Sequence, residues 1–263
     1  MQEFALILLL LLAIYLCFSA FLYLYQRRLL YFPVASDPDF EAPEFSIENE
    51  GITLRGWLLN ADKPQALIYF GGNSELITHR RQYFEQVFSD YSIYLLNYRG
   101  YGLSEGKPTQ AGLFSDALAI YDYARQHHSR ITAYGRSLGS GVAVFLAAER
   151  ELDKLILLTP YDSIASVAQK IYPLFPVKYL IKDRFDSAAR AGQIDVPVMI
   201  ASAENDREIR LSHTLALRQC FTRARVDYRQ ISGAAHNDII EFSEYHVVVE
   251  NFLAETDLQP AGN

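Results

Sequence analysis

Cysteine is almost missing from this sequence. Cys17 lies in an apolar N-terminal run and Cys220 far downstream in the globular part. That spacing excludes a disulfide framework and any Cys-x-x-Cys metal site. An excess of positive charge is missing too. Lys and Arg total 24 against 31 Asp and Glu, and basic residues cluster no further than pairs such as Arg27-Arg28 and Arg80-Arg81. Nucleic acid is therefore not the expected partner. The net charge of -7 favours solubility and carries no information about the fold. There is no internal repeat and no low-complexity tract.

The most informative absence is that of charge over residues 4–25, "FALILLLLLAIYLCFSAFLYLY". A helix needs only about 20 such residues to cross a bilayer. A cleaved secretory signal would need a basic start, a shorter apolar core and a small-x-small cleavage site. This run opens with Met-Gln-Glu, and its aromatic end offers only Ser19-Ala20. Residues 1–30 thus read as an uncleaved transmembrane anchor, with Tyr23, Tyr25 and Tyr31 as an interfacial belt beside Arg27 and Arg28. Positive charge on the C-terminal side alone favours a cytoplasmic domain by the positive-inside rule.

Residues 31–44 carry Pro33, Pro38 and Pro43 and read as an extended connector. In the domain that follows, residues 45–263, two alternating strands flank Asn49-Glu50-Gly51 as a hairpin. After them, buried-strand runs at 66–70, 92–96, 131–134, 155–158, 198–203 and 226–231 alternate with helix candidates. These helices fall near 75–89, 110–127, 138–150, 210–220 and 238–253. Such alternation predicts an α/β domain, a mostly parallel sheet with helices on both faces. The interval at about 160–197 delays the return to the sheet and is rich in aromatics and proline at 172–176. It reads as a small helical cap.

One short stretch carries chemistry. "AYGRSLGSG" sets Ser137 between Gly135 and Gly139, after a strand and before a helix. G-x-S-x-G arises by chance in roughly one chain in ten of ordinary composition. Its place on a strand-to-helix turn, the context of a nucleophile elbow, is what raises it. A serine hydroxyl needs a base. Of six histidines, His236 in "SGAAHND" lies just beyond the last strand, at the edge where Ser137 would stand. His79, His127, His128, His213 and His246 read as surface or packing residues. The base needs a carboxylate. Asp206, after the strand ending near Ala203, is the first candidate, with Glu204, Asp238 and Asp162 as rivals. "LIYFGGNSE" runs a strand into Gly71-Gly72-Asn73, so the backbone N–H groups of Asn73 and Leu138 could hold an oxyanion.

Taken in order, "QRRLLYFP", "YFGGNSE", "NYRGYGLSEGKPT", "YGRSLGSGVA", "AENDREI" and "GAAHND" resemble the α/β-hydrolases of the Bem46 type over about residues 24–252. The resemblance implies an α/β-hydrolase fold, Ser137 as nucleophile, Asp206 as acid, His236 as base, and Asn73 with Leu138 as oxyanion hole. It implies acyl transfer through an acyl-enzyme, and no metal or organic cofactor. The family usually has His-Gly-Asn where this chain has Gly71-Gly72-Asn73, which puts the rigidity of that loop in question. Arg99 and Ser104, in "YRGYGLSEG", are expected to brace a loop beside the site. The expected partners are an ester or thioester substrate with a lipophilic acyl chain, a lipid or lipidated protein, and the membrane. A peptidase on the same residues and a silent membrane-tethered interaction protein are the alternatives. As a tether, the N-terminal segment should supply proximity only, so a chain starting near Tyr31 should keep its activity on soluble esters.

Overall fold

The computed structural model describes residues 1–36 and 43–255; Pro38 of the connector lies outside them. Among the described residues, one eight-stranded sheet has the order β1-β2-β4-β3-β5-β6-β7-β8. The hairpin opens it, with β1 (Phe45–Asn49) antiparallel to β2 (Ile52–Leu59). Its turn residues Glu50 and Gly51 both have positive φ, 52° and 75°, as a type I′ turn requires. β2 pairs antiparallel with β4 (Tyr91–Leu96). From there the sheet is parallel, through β3 (Gln65–Phe70), β5 (Arg130–Arg136), β6 (Lys154–Leu158), β7 (Val198–Ala203) and β8 (Val226–Ile231).

Continuous apolar runs let these strands bury both faces. Ile131 and Ala133 of β5 face one core and Tyr134 the other. The first core is covered by α3 (Gln110–Arg125), α4 (Leu138–Glu149) and α8 (Leu211–Cys220), the second by α2 (Arg81–Val87) and α9 (Ser243–Ala254). The helix expected at 75–89 is broken into a 3-10 turn, Ile77–Arg80, followed by α2. The excursion after β6 holds α5 (Ile164–Ile171), α6 (Val177–Leu180) and α7 (Ala188–Ala191). Arg99 and Ser104 brace their loop: Arg99 makes two bonds to Asp116, at 2.8 and 2.7 Å, and the Ser104 hydroxyl donates to the Asn97 carbonyl at 3.0 Å.

The N-terminal run is one helix, α1 (Gln2–Tyr31), long and apolar enough to cross a membrane. Its far end does not stand apart from the domain. Tyr31, expected in an interfacial belt, is fully buried in the first core, edge-on to Phe185. Its carbonyl accepts the Tyr101 hydroxyl and the Ser74 N–H. Arg27, expected as part of a free basic flank, pairs with the buried Asp183 at 2.8 Å. Phe32, with φ of 46°, ends the helix, and the Val34 carbonyl accepts the Gly102 N–H at 2.8 Å, so the start of the connector is pinned to the domain.

The detachable tether expected from the sequence is therefore not what the structure shows. Residue 31 is a core residue, and a cut there would remove part of the packing. Tyr31→Ala should cost about 3–5 kcal/mol, the usual range for deleting a buried aromatic ring. Urea unfolding of the detergent-solubilised chain, followed through its lone Trp57, measures this. A loss below about 1 kcal/mol would show that the helix end is not part of the core.

Candidate active site

In a parallel sheet all strand ends of one sense share an edge. The loops after β3, β5, β7 and β8 therefore meet at one place. Ser137 sits between the last residue of β5 and the first of α4, with φ 49° and ψ -118°. This is a strained backbone for a residue with a side chain. It persists because its surroundings leave no alternative. The Ser137 N–H donates to the Leu158 carbonyl at 2.9 Å, and its own carbonyl accepts from Ser140 through both N–H and hydroxyl. A Cβ at Gly139 would collide with the Phe70 carbonyl, so only glycine lets α4 come this close to β3.

The structure brings together three of the side chains singled out in the sequence. His236 Nε2 lies 3.0 Å from the Ser137 hydroxyl, and His236 Nδ1 lies 2.7 Å from Asp206 Oδ2. With Nδ1–H donated to the carboxylate, Nε2 is left to accept the serine proton. The other oxygen of Asp206 accepts the N–H groups of Glu208 and Ile209, which fixes the carboxylate. Its rivals are engaged elsewhere. Glu204 accepts the Gly233 N–H, Asp238 accepts the Ala235 N–H, and Asp162 lies 2.6 Å from the buried His213.

Asn73 and Leu138 border the same cavity as Ser137. Leu138 is the first residue of α4, where a backbone N–H has no partner within the helix. The Asn73 side chain is committed to another task, donating to the Leu30 carbonyl of α1 at 2.9 Å. The loop before it is held by a group that the sequence reading passed over, Glu75. Its carboxylate accepts the Gly72 N–H at 2.5 Å, Arg80 at 2.6 Å, Arg136 at 3.2 Å and the Tyr69 hydroxyl at 3.0 Å. A Cβ at Gly71 would lie 2.9 Å from the same carboxylate, so Glu75 fills the space that a side chain at Gly71 would need. Tyr98 adds a bond to the Gly71 carbonyl at 2.8 Å. Arg136 reaches on to Asn237, beside His236, at 2.6 Å. Burial would raise the Glu75 carboxyl, but the Arg136 and Arg80 cations outweigh it and hold the group below its ordinary value. One sequence signal was available: Glu75 closes the "FGGNSE" run next to a glycine pair with no bracing side chain.

Above Ser137 lies a cavity of about 240 Å³, larger than the roughly 150 Å³ that holds a benzene in an apolar core. Its walls come from two sides. α1 supplies Ser19, Leu22, Gln26 and Leu30, while the cap supplies Ile164, Val167, Ile171 and Phe175. Glu208, half exposed, stands at its edge, 3.6 Å from His236 Nε2. Among the described residues no cluster of His, Cys, Asp and Glu is arranged to hold a metal.

The sheet order, the cap after β6 and the strand-end loops are those of the α/β-hydrolase fold. No family model matches it. It is similar to protein bem46 of Schizosaccharomyces pombe, 29% identical over 94% of this chain and 92% of that protein. It is also similar to α/β hydrolase domain-containing protein 17C of Xenopus tropicalis, 32% identical over 62% of this chain and about half, 52%, of that one. The Bem46-type likeness read from the motifs is thus borne out. Among solved structures, an esterase of Pyrococcus furiosus superposes with a TM-score of 0.67 at 17% identity, covering 85% of this chain and 98% of that one. The enol-lactonase of Burkholderia xenovorans gives 0.63 at 16%, covering 80% and 100%. At such identities these structures attest the fold.

The Glu75 network makes a prediction about stability. Glu75→Gln leaves the buried Arg136 and the partly exposed Arg80 without their counter-charge and should cost about 3–5 kcal/mol at neutral pH. A carboxyl lowered by folding contributes stability that is present above its unfolded value, near 4.3, and lost as pH falls through the folded value. The gap between wild type and variant should therefore narrow in acid. Urea unfolding at neutral and acid pH measures it, and a gap that widens in acid would contradict the assignment.

Proposed function

We propose that this protein is a membrane-anchored serine hydrolase that cleaves ester or thioester bonds of lipophilic acyl substrates. The observation that carries this is the unbroken hydrogen-bond chain from Ser137 through His236 to Asp206 at the floor of an apolar cavity. The esterase and lactonase folds among its structural neighbours support the same reading.

Ser137 Oγ adds to the substrate carbonyl carbon while His236 Nε2 takes its proton. Asp206 holds the Nδ1–H tautomer and stabilises the imidazolium. The negative oxygen of the tetrahedral intermediate accepts the N–H groups of Asn73 and Leu138. His236 then returns the proton to the leaving alkoxide or thiolate as its bond to carbon breaks. Water, deprotonated by His236, adds to the acyl-enzyme and releases the carboxylic acid, restoring the serine. α1 anchors the domain, and Arg28 with the cap residue Lys182 puts positive charge on its domain side, which favours the cytoplasmic face.

Labelling by a fluorophosphonate probe tests the nucleophile directly. Ser137→Ala should abolish both labelling and ester hydrolysis. His236→Ala and Asp206→Asn should each lower turnover by about 10³-fold or more. Glu204→Gln should change it little, since Glu204 only ties down the Gly233 N–H. If Glu204→Gln proves more damaging than Asp206→Asn, the acid is misassigned.

The oxyanion donors are tested at Asn73. Asn73→Pro removes the backbone N–H and should lower turnover at least ~10²-fold. Asn73→Ala keeps that N–H and cuts only the tie to Leu30, so it should lose less. Equal losses in two folded variants would assign the effect to the side chain and leave the oxyanion hole unsupported.

A further inference from the structure

The tip of the cap has a surface that does not suit water. Over residues 171–180, Ile171, Leu174, Tyr179 and Leu180 are exposed, Leu174 by 80% and Tyr179 by 77%, and the one charged residue of the span, Lys178, lies over the Tyr179 ring. Yet most of the backbone there is provided for from within. Pro173 and Pro176 have no N–H to satisfy. Gln169 Nε2 donates to the carbonyls of Tyr172 at 3.2 Å and Phe175 at 2.9 Å, and its Oε1 accepts the Lys178 N–H at 3.1 Å. The Tyr15 hydroxyl of α1 donates to the Leu174 carbonyl at 3.3 Å. Irregular backbone is tolerated at membrane depth only where protein groups satisfy it. A loop that exposes apolar side chains while most of its carbonyls are occupied largely meets that condition.

The depth agrees. The Phe175 ring meets α1 at Tyr15 and Phe18, with centroids 5.0 and 4.9 Å apart. The base of the cap meets it lower down, where the Gln26 side chain accepts the Lys182 N–H and Arg27 pairs with Asp183. Between those two levels α1 rises about 18 Å. One leaflet supplies roughly half of a hydrocarbon core of about 30 Å. The cap therefore lies beside α1 through the depth of a single leaflet. Lys182 sits over the Tyr23 ring at 4.3 Å, at the level where a headgroup boundary would fall.

The cavity runs in the same direction. Its α1 wall, Ser19, Leu22, Gln26 and Leu30, is one face of the helix, with Leu30 beside Asn73 at the floor and Ser19 at the top. A lipid acyl chain in that leaflet has the same polarity, its carbonyl at the interface and its methyl end toward the midplane. We propose that the cap tip is inserted in the leaflet that α1 enters, and that the substrate is a leaflet-resident acyl chain entering sideways between α1 and the α5–α6 side of the cap. α1 is then a wall of the acyl site as well as an anchor. The entry route rests on the hydrolase reading of Ser137; the insertion does not.

Two measurements on the full chain in phosphatidylcholine vesicles test this. Leu174→Trp places a reporter at the tip, read against the buried Trp57 of the parent. Its fluorescence should be quenched more by lipids brominated deep in the acyl chain than by lipids brominated near the headgroup. Quenching no greater than that of the parent would overturn the insertion. Leu22→Trp should narrow the cavity from its α1 side and lower the ratio of long-chain to short-chain ester hydrolysis at least tenfold, per probe-labelled enzyme. Leu24→Trp, on the exposed face of the same helix, should leave that ratio unchanged. An unchanged ratio in Leu22→Trp, or an equal fall in Leu24→Trp, would overturn the entry route. Wild type that neither labels nor cleaves short esters would instead defeat the hydrolase reading, and the quenching would still decide the insertion.

Discussion

A single buried carboxylate, that of Glu75, fixes the relation between the loops that surround Ser137. It takes the Gly72 N–H from the loop after β3, Arg80 from the turn that follows, and Arg136 from the residue before the serine. Arg136 extends the link to Asn237, next to His236. A glutamate and an arginine, Glu75 and Arg136, are costly to bury, and replacing such a pair with apolar groups need not destabilise a fold. What an apolar cluster cannot do is set direction. Charged hydrogen bonds fix both distance and angle, and here they fix three loops against one another. With Gly72 held by its N–H and Gly71 by its carbonyl, the backbone at Asn73 has little freedom left.

That constraint also explains how the strained serine endures. Ser137 lies in the left-handed region with Arg136 immediately before it, and the guanidinium of Arg136 is anchored at both ends of its fork. On the other side, Gly139 lets α4 rest against the Phe70 carbonyl. The turn can relax only if the arginine leaves its partners or the helix leaves the sheet. Strain of this kind persists where the surroundings over-determine the backbone.

Most of the fold was legible because strand and helix periods alternate cleanly, and because glycine, serine, aspartate and histidine fall at strand ends that a parallel sheet must bring together. Asp206 and Glu204 were separable in the sequence only by their place in the loop. Geometry separates them, since Glu204 is spent on Gly233 while Asp206 reaches His236. Glu75 and Arg136 were not legible as a pair, because the partners lie 61 positions apart and meet only when β3 lies beside β5. The break of the helix expected at 75–89 has a related cause. Arg80 turns inward to Glu75 at the start of α2, and the chain tightens into a 3-10 turn before it.

Hydropathy gave the length of α1 and hid its sidedness. Lipid and a protein core are both apolar, so a run of Leu, Ile and Phe cannot tell which of its faces meets which. The distinguishing residues are polar. Ser19 and Gln26, seven positions apart on one face, are ill placed for lipid but border a cavity whose floor is hydrophilic. From that face a short path leads to the chemistry: the Leu30 carbonyl accepts the Asn73 side chain, and the Tyr31 carbonyl accepts the next N–H, of Ser74. A helix joined to the domain by a free linker could tilt in the bilayer without consequence for the site. This one ends in the core and hydrogen-bonds the loop that would hold the oxyanion, so a displacement of the helix would be transmitted to the backbone around Asn73.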